Sequence, residues 1–112
     1  MIYTSYFGNI RKLPPGRYYS IARYTPNIPG VYGLTQLSPP EIMLSRYKHG
    51  YLKKRDYIIQ FREMLDKVEI PAFFRKEGSD IFLLCYEKSD DFCHRHIVAQ
   101  WLEDNGIECE EY

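Results

Sequence analysis

Glu87, Cys93, His94 and Arg95 place a carboxylate, a thiol, an imidazole and a guanidinium within nine consecutive residues. A carboxylate in such company can act as nucleophile or general base, a thiol as nucleophile once ionised, and an arginine as a bidentate anion clamp. The segment before them, Ile81-Phe82-Leu83-Leu84-Cys85-Tyr86, is a continuous apolar run of the kind that forms a buried strand. Ser89-Asp90-Asp91 predicts a turn, and Cys93 to Asn105 predicts a helix from the apolar spacing of Ile97, Val98, Trp101 and Leu102. The chemistry-bearing residues therefore gather where a strand ends and a helix begins, the usual place for a site in an α/β sheet.

The phase of that helix sorts the side chains. At about 100° per residue, His94 lies close to the apolar direction and points inward, while His96 points nearly opposite, toward solvent. Cys93 and Arg95 fall on opposite borders of the apolar face. Cys85, Cys93, His94 and His96 have the right chemistry for a four-ligand zinc site, but the histidines diverge. The sequence also lacks C-x-x-C, H-x-x-x-H and the zinc deaminase pattern, so no metal and no cofactor are expected.

Anion binding is better founded. First-turn amides of a helix lack intrahelical partners and carry partial positive charge, to which Arg95 adds its fork. The same field favours a Cys93 thiolate, yet a first-turn cysteine also serves as a small buried hydrophobe, and both roles stay open. The phosphatase arrangement needs five residues between nucleophile and arginine positions, and Cys93-His94-Arg95 is too tight for it. Glu87 emerges at the carboxyl end of its strand, either as a working carboxylate or as a loop residue paired with Lys88 or Arg95.

The elements that must position these groups are legible along the chain. Ile2 to Phe7 and Tyr18 to Tyr24 are aromatic and β-branched and predict strands. Thr25 to Gln36 predicts a long aromatic loop of the sort that walls a pocket. Ser38-Pro39-Pro40-Glu41 is a capping-box signature opening a short helix to Lys48. Lys53 to Val68 is the clearest helix, Ile70 to Lys76 is ambiguous, and Glu77-Gly78-Ser79 predicts a turn. Asn105-Gly106 stops the final helix before a strand over Ile107 to Glu111. The last strand, helix and strand form a right-handed βαβ unit, and the whole predicts one three-layer α/β domain over residues 1–112 with a small, mostly parallel sheet.

Composition sets the remaining bounds. The 112 residues are 45% hydrophobic and 27% charged, without low-complexity segments, as in an ordinary globular domain. Neither a secretory leader nor a membrane-length apolar run is evident, and three cysteines are an odd number, so reduced thiols in the cytoplasm are expected rather than a disulfide framework. Residues 1–76 carry 13 basic and 5 acidic side chains, while residues 77–112 carry 2 and 10. The simplest use of this asymmetry is mutual neutralisation, and with net charge zero nucleic acid is a weak candidate partner. Tyr3, Tyr6, Tyr18, Tyr19, Tyr24, Tyr32, Tyr86 and Phe92 can pack or stack on a base.

Leu-Leu-Cys-Tyr-Glu-Lys followed by Phe-Cys-His-Arg-His and a helix resembles the signature of the family catalogued as domain of unknown function 488. Tyr3-Thr4-Ser5-Tyr6 and Arg23-Tyr24-Thr25-Pro26 also resemble that family, especially its short members from bacteria and phages. The resemblance implies a Rossmann-like domain with Glu87, Cys93, His94 and Arg95 grouped near Thr4 and Arg23. Larger members tend to have Asp-Val-Arg where this chain has Ile21-Ala22-Arg23, which removes a second strand-end carboxylate.

The leading expectation is a small enzyme acting on a nucleotide, nucleoside or related phosphorylated metabolite. Glu87 would be nucleophile or base, Cys93 and His94 would assist, and Thr4, Ser5, Tyr6, Arg11, Arg23 and Arg95 would hold an anionic small molecule. The alternative is a non-catalytic module that sequesters a nucleotide or contacts a partner. A thiol switch between Cys85 and Cys93 is a third reading, weakened by the missing C-x-x-C. The oligomeric state cannot be read from these residues.

Overall fold

A computed structural model of the chain describes residues 1–76, 78–87 and 92–112. The expected turn at Ser89-Asp90-Asp91 and residue Glu77 lie outside the described residues. Five strands, β1 (Ile2–Tyr6), β2 (Arg17–Ser20), β3 (Val31–Gly33), β4 (Ile81–Cys85) and β5 (Cys109–Glu111), form one sheet in the order β3-β2-β4-β1-β5. Every pairing is parallel, with Tyr6 opposite Cys85 and Ser20 opposite Leu84. Three α-helices complete the fold: α1 (Glu41–Lys48), α2 (Lys54–Leu65) and α3 (His94–Asp104). The result is a Rossmann-like α/β domain.

β4 is central and buried at all five positions, which explains why its sequence is an unbroken apolar run rather than an alternation. Its side chains still alternate in direction. Ile81, Leu83 and Cys85 join a large cluster with Phe61, Leu65, Val98 and Trp101 of α2 and α3. Phe82 and Leu84 join a smaller cluster with Phe7, Leu13, Ala22 and Val31. That second face is covered by a 3₁₀ turn over Phe7–Lys12 and by ring stacking of Tyr3 and Tyr18 on Phe82, so the third layer is thinner than the helical one.

Several boundaries differ from expectation. β2 ends at Ser20, one residue before the Ile21 amide makes a last bond to Leu84 O of β4, and a short strand, β3, lies inside the segment expected to be loop. A third parallel strand needs only three paired residues there, too few to show a periodic pattern. Ser38 does not cap α1; its hydroxyl donates to Thr35 O at 2.7 Å, closing the preceding 3₁₀ turn, and Pro40 occupies the cap position. Ile70 to Lys76 resolves into a 3₁₀ turn over Ala72–Arg75. Gly106, at φ +79°, stops α3 in the left-handed conformation.

Two consequences for stability arise here. A methyl group on Gly16 would sit 2.6 Å from the Asp80 carbonyl oxygen and 2.7 Å from Phe82 Cε2. That carbonyl is held in place by the Arg17 amide at 2.8 Å, so it cannot retreat freely. Gly16→Ala is expected to lower unfolding free energy by about 1–3 kcal/mol in urea denaturation, and an unchanged midpoint would show that the turn yields.

Cys109 is the second case. Burial first, then the carboxylates of Glu103, Glu111 and Glu110, push its thiol up to about 12. In the unfolded chain a thiol ionises from about pH 8.5. The stabilising contribution is therefore complete below that value and declines as pH rises from there toward about 12. Cys109→Ala should flatten the alkaline limb of stability against pH, measured by urea unfolding, and an identical slope would remove Cys109 as its source.

Candidate functional site

The chain leaving β2 passes to β3 at one edge of the sheet, whereas the chain leaving β4 passes through α3 to β5 at the other. Because β2 and β4 are neighbours, their carboxyl ends flank a crevice where the connections part, and α/β sheets bind ligands at such points. A cavity of about 300 Å³ lies at this place. Arg23 and Tyr24 enter it after β2, Tyr86 and Glu87 after β4, and His94 from the first residue of α3. Glu41, Ser45, Lys48 and His49 line the wall formed by α1 and its end. The cavity thus combines two carboxylates with an arginine, a lysine and two imidazoles.

Exposure separates the residues that face the cavity from those that lie beneath it. Glu87 and Arg23 are exposed, and Tyr24 and Tyr86 are 63% and 55% exposed. The Tyr86 hydroxyl donates to Tyr24 O at 3.0 Å, joining the two strand ends across the rim. Tyr24 is held protonated above its ordinary range, chiefly by its hydrogen bond to the Glu41 carboxylate.

His94 is buried, as the helical phase predicts. Its Nε2 bonds to the Ile21 carbonyl oxygen, which can only accept, so Nε2 carries the proton and Nδ1 keeps a lone pair. That Nδ1 stands 3.7 Å from Cys93 Sγ. Burial, outweighing the hydrogen bond to Ile21, holds the imidazole below the usual histidine range.

Arg95 departs most from its expected place. It is expected to hold an anion at the helix start, but the residue is 0% exposed. Its Nη2 and Nε donate to Glu111 at 2.9 and 3.2 Å, Nη1 donates to Cys85 Sγ at 2.9 Å, and Nη1 also donates to the Glu87 carbonyl oxygen. Thr4 Oγ1 donates to the same Glu111 carboxylate at 2.6 Å. The guanidinium is enclosed by β1, β4 and β5 and faces Glu111 rather than the cavity. Its link to Glu87 is through the backbone, so it positions that residue.

The other expected ligand-binding residues separate likewise. Thr4 and Ser5 are wholly buried, and Ser5 donates to Tyr112 O at 3.3 Å. Tyr6 lies under the Arg95 guanidinium, 5.9 Å from Cζ to ring centre. Arg11 is exposed on the 3₁₀ turn and does not line the cavity. Only Arg23 of that set lines the cavity. Glu41 and Lys48 were missed because α1 reads merely as a short capped helix; nothing in its spacing says which strand ends it covers.

The cysteines also correct the sequence reading. Cys93 caps α3 and is 3% exposed, with Sγ accepting the Arg95 amide at 3.5 Å. The sulfurs of Cys85 and Cys93 meet, whereas the odd number of cysteines predicts reduced thiols rather than a disulfide framework; Cys109 stands apart from both. The fold brings them together because β4 ends where α3 starts. A carboxylate oxygen of Glu87 and both sulfurs lie within 4.8 Å of one another, the chemistry of a soft metal site. His96 faces a different groove beside Phe92, so the divergence of the two histidines holds.

No helix among the described residues is long and apolar enough to cross a membrane. No curated protein and no solved structure matches the chain. A family model described as the active DUF488-N3 subclade matches residues 11–106, spanning the cavity wall, β4 and α3. By that match, and by the Leu-Leu-Cys-Tyr-Glu and Cys-His-Arg segments that meet beneath the cavity, the chain belongs to the DUF488 family.

Proposed function

We propose that the protein is a small enzyme acting on a nucleotide, nucleoside or related phosphorylated metabolite in the crevice between the ends of β2 and β4. The observation that carries this reading is the convergence of exposed Glu87 with Arg23 and Lys48 around one cavity of about 300 Å³, a size at the lower end of small-ligand sites. Arg23 and Lys48 hold the anionic group, a role passed to them from enclosed Arg95. Tyr24 and Tyr86 offer exposed rings for a base. Glu87 acts on the substrate as nucleophile or general base, and cleavage at a glycosidic bond is its most concrete form. His94 and Arg95 are positioning residues, tying α3 to the strand ends through Ile21 and the Glu87 backbone. The description of the matched subclade as active accords with catalysis.

The test is a panel of nucleotides, nucleosides and sugar phosphates incubated with wild-type protein and with Glu87→Gln, read by mass spectrometry. Product formed by wild type and lost in the variant is the expected result. No product from any compound, or equal rates from both proteins, overturns the reading. A ligand bound and returned unchanged replaces catalysis with sequestration.

A further inference from the structure

We propose that Cys85, Cys93 and Glu87, with Nδ1 of His94 at the edge of the group, form a zinc site clasping the end of β4 to the start of α3. The donors of the three core residues lie within 4.8 Å of one another. Two cysteines brought together beside a carboxylate serve either as a disulfide or as ligands of a shared thiophilic cation. Three independent observations favour the cation.

The first is hydrogen bonding to sulfur. Cys85 Sγ accepts from the Arg95 guanidinium at 2.9 Å, and Cys93 Sγ accepts from the Arg95 amide at 3.5 Å. Thiolates are charged acceptors that such donors stabilise, whereas disulfide sulfurs are weak ones. The second is the histidine tautomer. Donation from Nε2 to Ile21 O leaves the Nδ1 lone pair facing Cys93 Sγ at 3.7 Å, and metal-bound imidazoles characteristically donate their other nitrogen to a carbonyl in this way. The third is span. The Cα atoms of Cys85 and Cys93 are 7.7 Å apart, beyond the roughly 4.4–6.8 Å usual for a disulfide.

Two thiolates, an imidazole and a carboxylate suit zinc in tetrahedral coordination. The carboxylate and imidazole disfavour cuprous copper, which prefers sulfur donors alone. Each cysteine gives up its proton on ligation, and the Arg95 guanidinium donates to Cys85 Sγ, which favours the thiolate. Glu87 is shared with the proposed catalytic role; a carboxylate that ligates through one oxygen retains the other for a proton. The zinc site does not depend on that role, since its readouts require no substrate.

The experiment measures metal content by mass spectrometry after purification in reducing, chelator-free buffer, and then titrates metal-free protein with zinc and with cobalt(II). One zinc per chain and a tetrahedral cobalt spectrum with thiolate charge-transfer absorption are expected. Cys85→Ser and Cys93→Ser should abolish the charge-transfer band, while Glu87→Gln and His94→Gln weaken zinc binding on the order of 10-fold or more. Wild-type protein that takes up neither metal, or whose intact mass shows two hydrogens lost with Cys85 and Cys93 blocked to alkylation, overturns the proposal. These results use wild type, so a variant that fails to fold does not obscure them. Zinc bound without turnover, or turnover without zinc, separates this site from the catalytic reading.

Discussion

Replacing Arg95 with alanine is expected to lower unfolding free energy by about 3–5 kcal/mol, the range for breaking one side of a buried ion pair. The side chain is 0% exposed, while its partner Glu111 is 29% exposed and can recover some hydration, which places the effect toward the lower end. The loss extends beyond the pair. Glu111, which Thr4 also holds, and the Glu87 carbonyl both meet this guanidinium, so its removal loosens β5 from β1 and the Glu87 backbone from α3. For a domain whose whole stability is of order 5–15 kcal/mol, that is a large fraction. Arg95→Lys should recover little of it, because an ammonium lacks the fork that reaches Glu111, Cys85 and Glu87 together. Guanidinium chloride unfolding of the three proteins measures this. A change under about 1 kcal/mol for Arg95→Ala would mean that Glu111 and the sulfur carry no real dependence on the arginine.

The second large effect concerns Glu87. Glutamine preserves its size and much of its hydrogen bonding but cannot accept a proton or attack as a carboxylate. On any substrate found to turn over, kcat should fall about 10²- to 10⁴-fold, with a much smaller change in KM. Arg23→Gln should do the reverse, raising KM and sparing kcat, because an exposed arginine holding an anionic group contributes similarly to ground and transition states. Steady-state kinetics of both variants distinguish the roles. A kcat loss in Arg23→Gln matching that of Glu87→Gln would place the arginine at the reacting bond instead. Glu41, on the cavity wall and bonded to Tyr24, becomes the available second carboxylate in a chain whose Ile21-Ala22-Arg23 segment lacks one.

Much of the architecture was legible because it depends on local periodicity. The apolar run of β4, the helical spacing of Tyr57, Phe61 and Leu65, and Asn105-Gly106 as a stop are near-neighbour patterns, and the structure reproduces them within a few residues. The inward direction of His94 followed from helix geometry alone. Ser38 misled because its hydroxyl had two local acceptor arrangements available, and the preceding 3₁₀ turn won. β3 escaped because three residues in parallel pairing owe more to their neighbour strand than to their own composition.

By itself, then, the sequence determined that this is an α/β domain of the DUF488 family and that its notable chemistry gathers between β4 and α3. Only the tertiary structure decided which of those groups line the cavity. Arg95 is turned inward by Glu111, a residue 16 positions away that reaches it because β5 pairs with β1. Arg23, Lys48 and Glu41 meet Glu87 because the order of the parallel strands sets β2 beside β4 and lays α1 across their ends. The physical reason is range. Helix phase and strand character are set by backbone geometry over a few residues, whereas the partners of a charged side chain are set by which distant elements the packed sheet brings within a few ångströms of it.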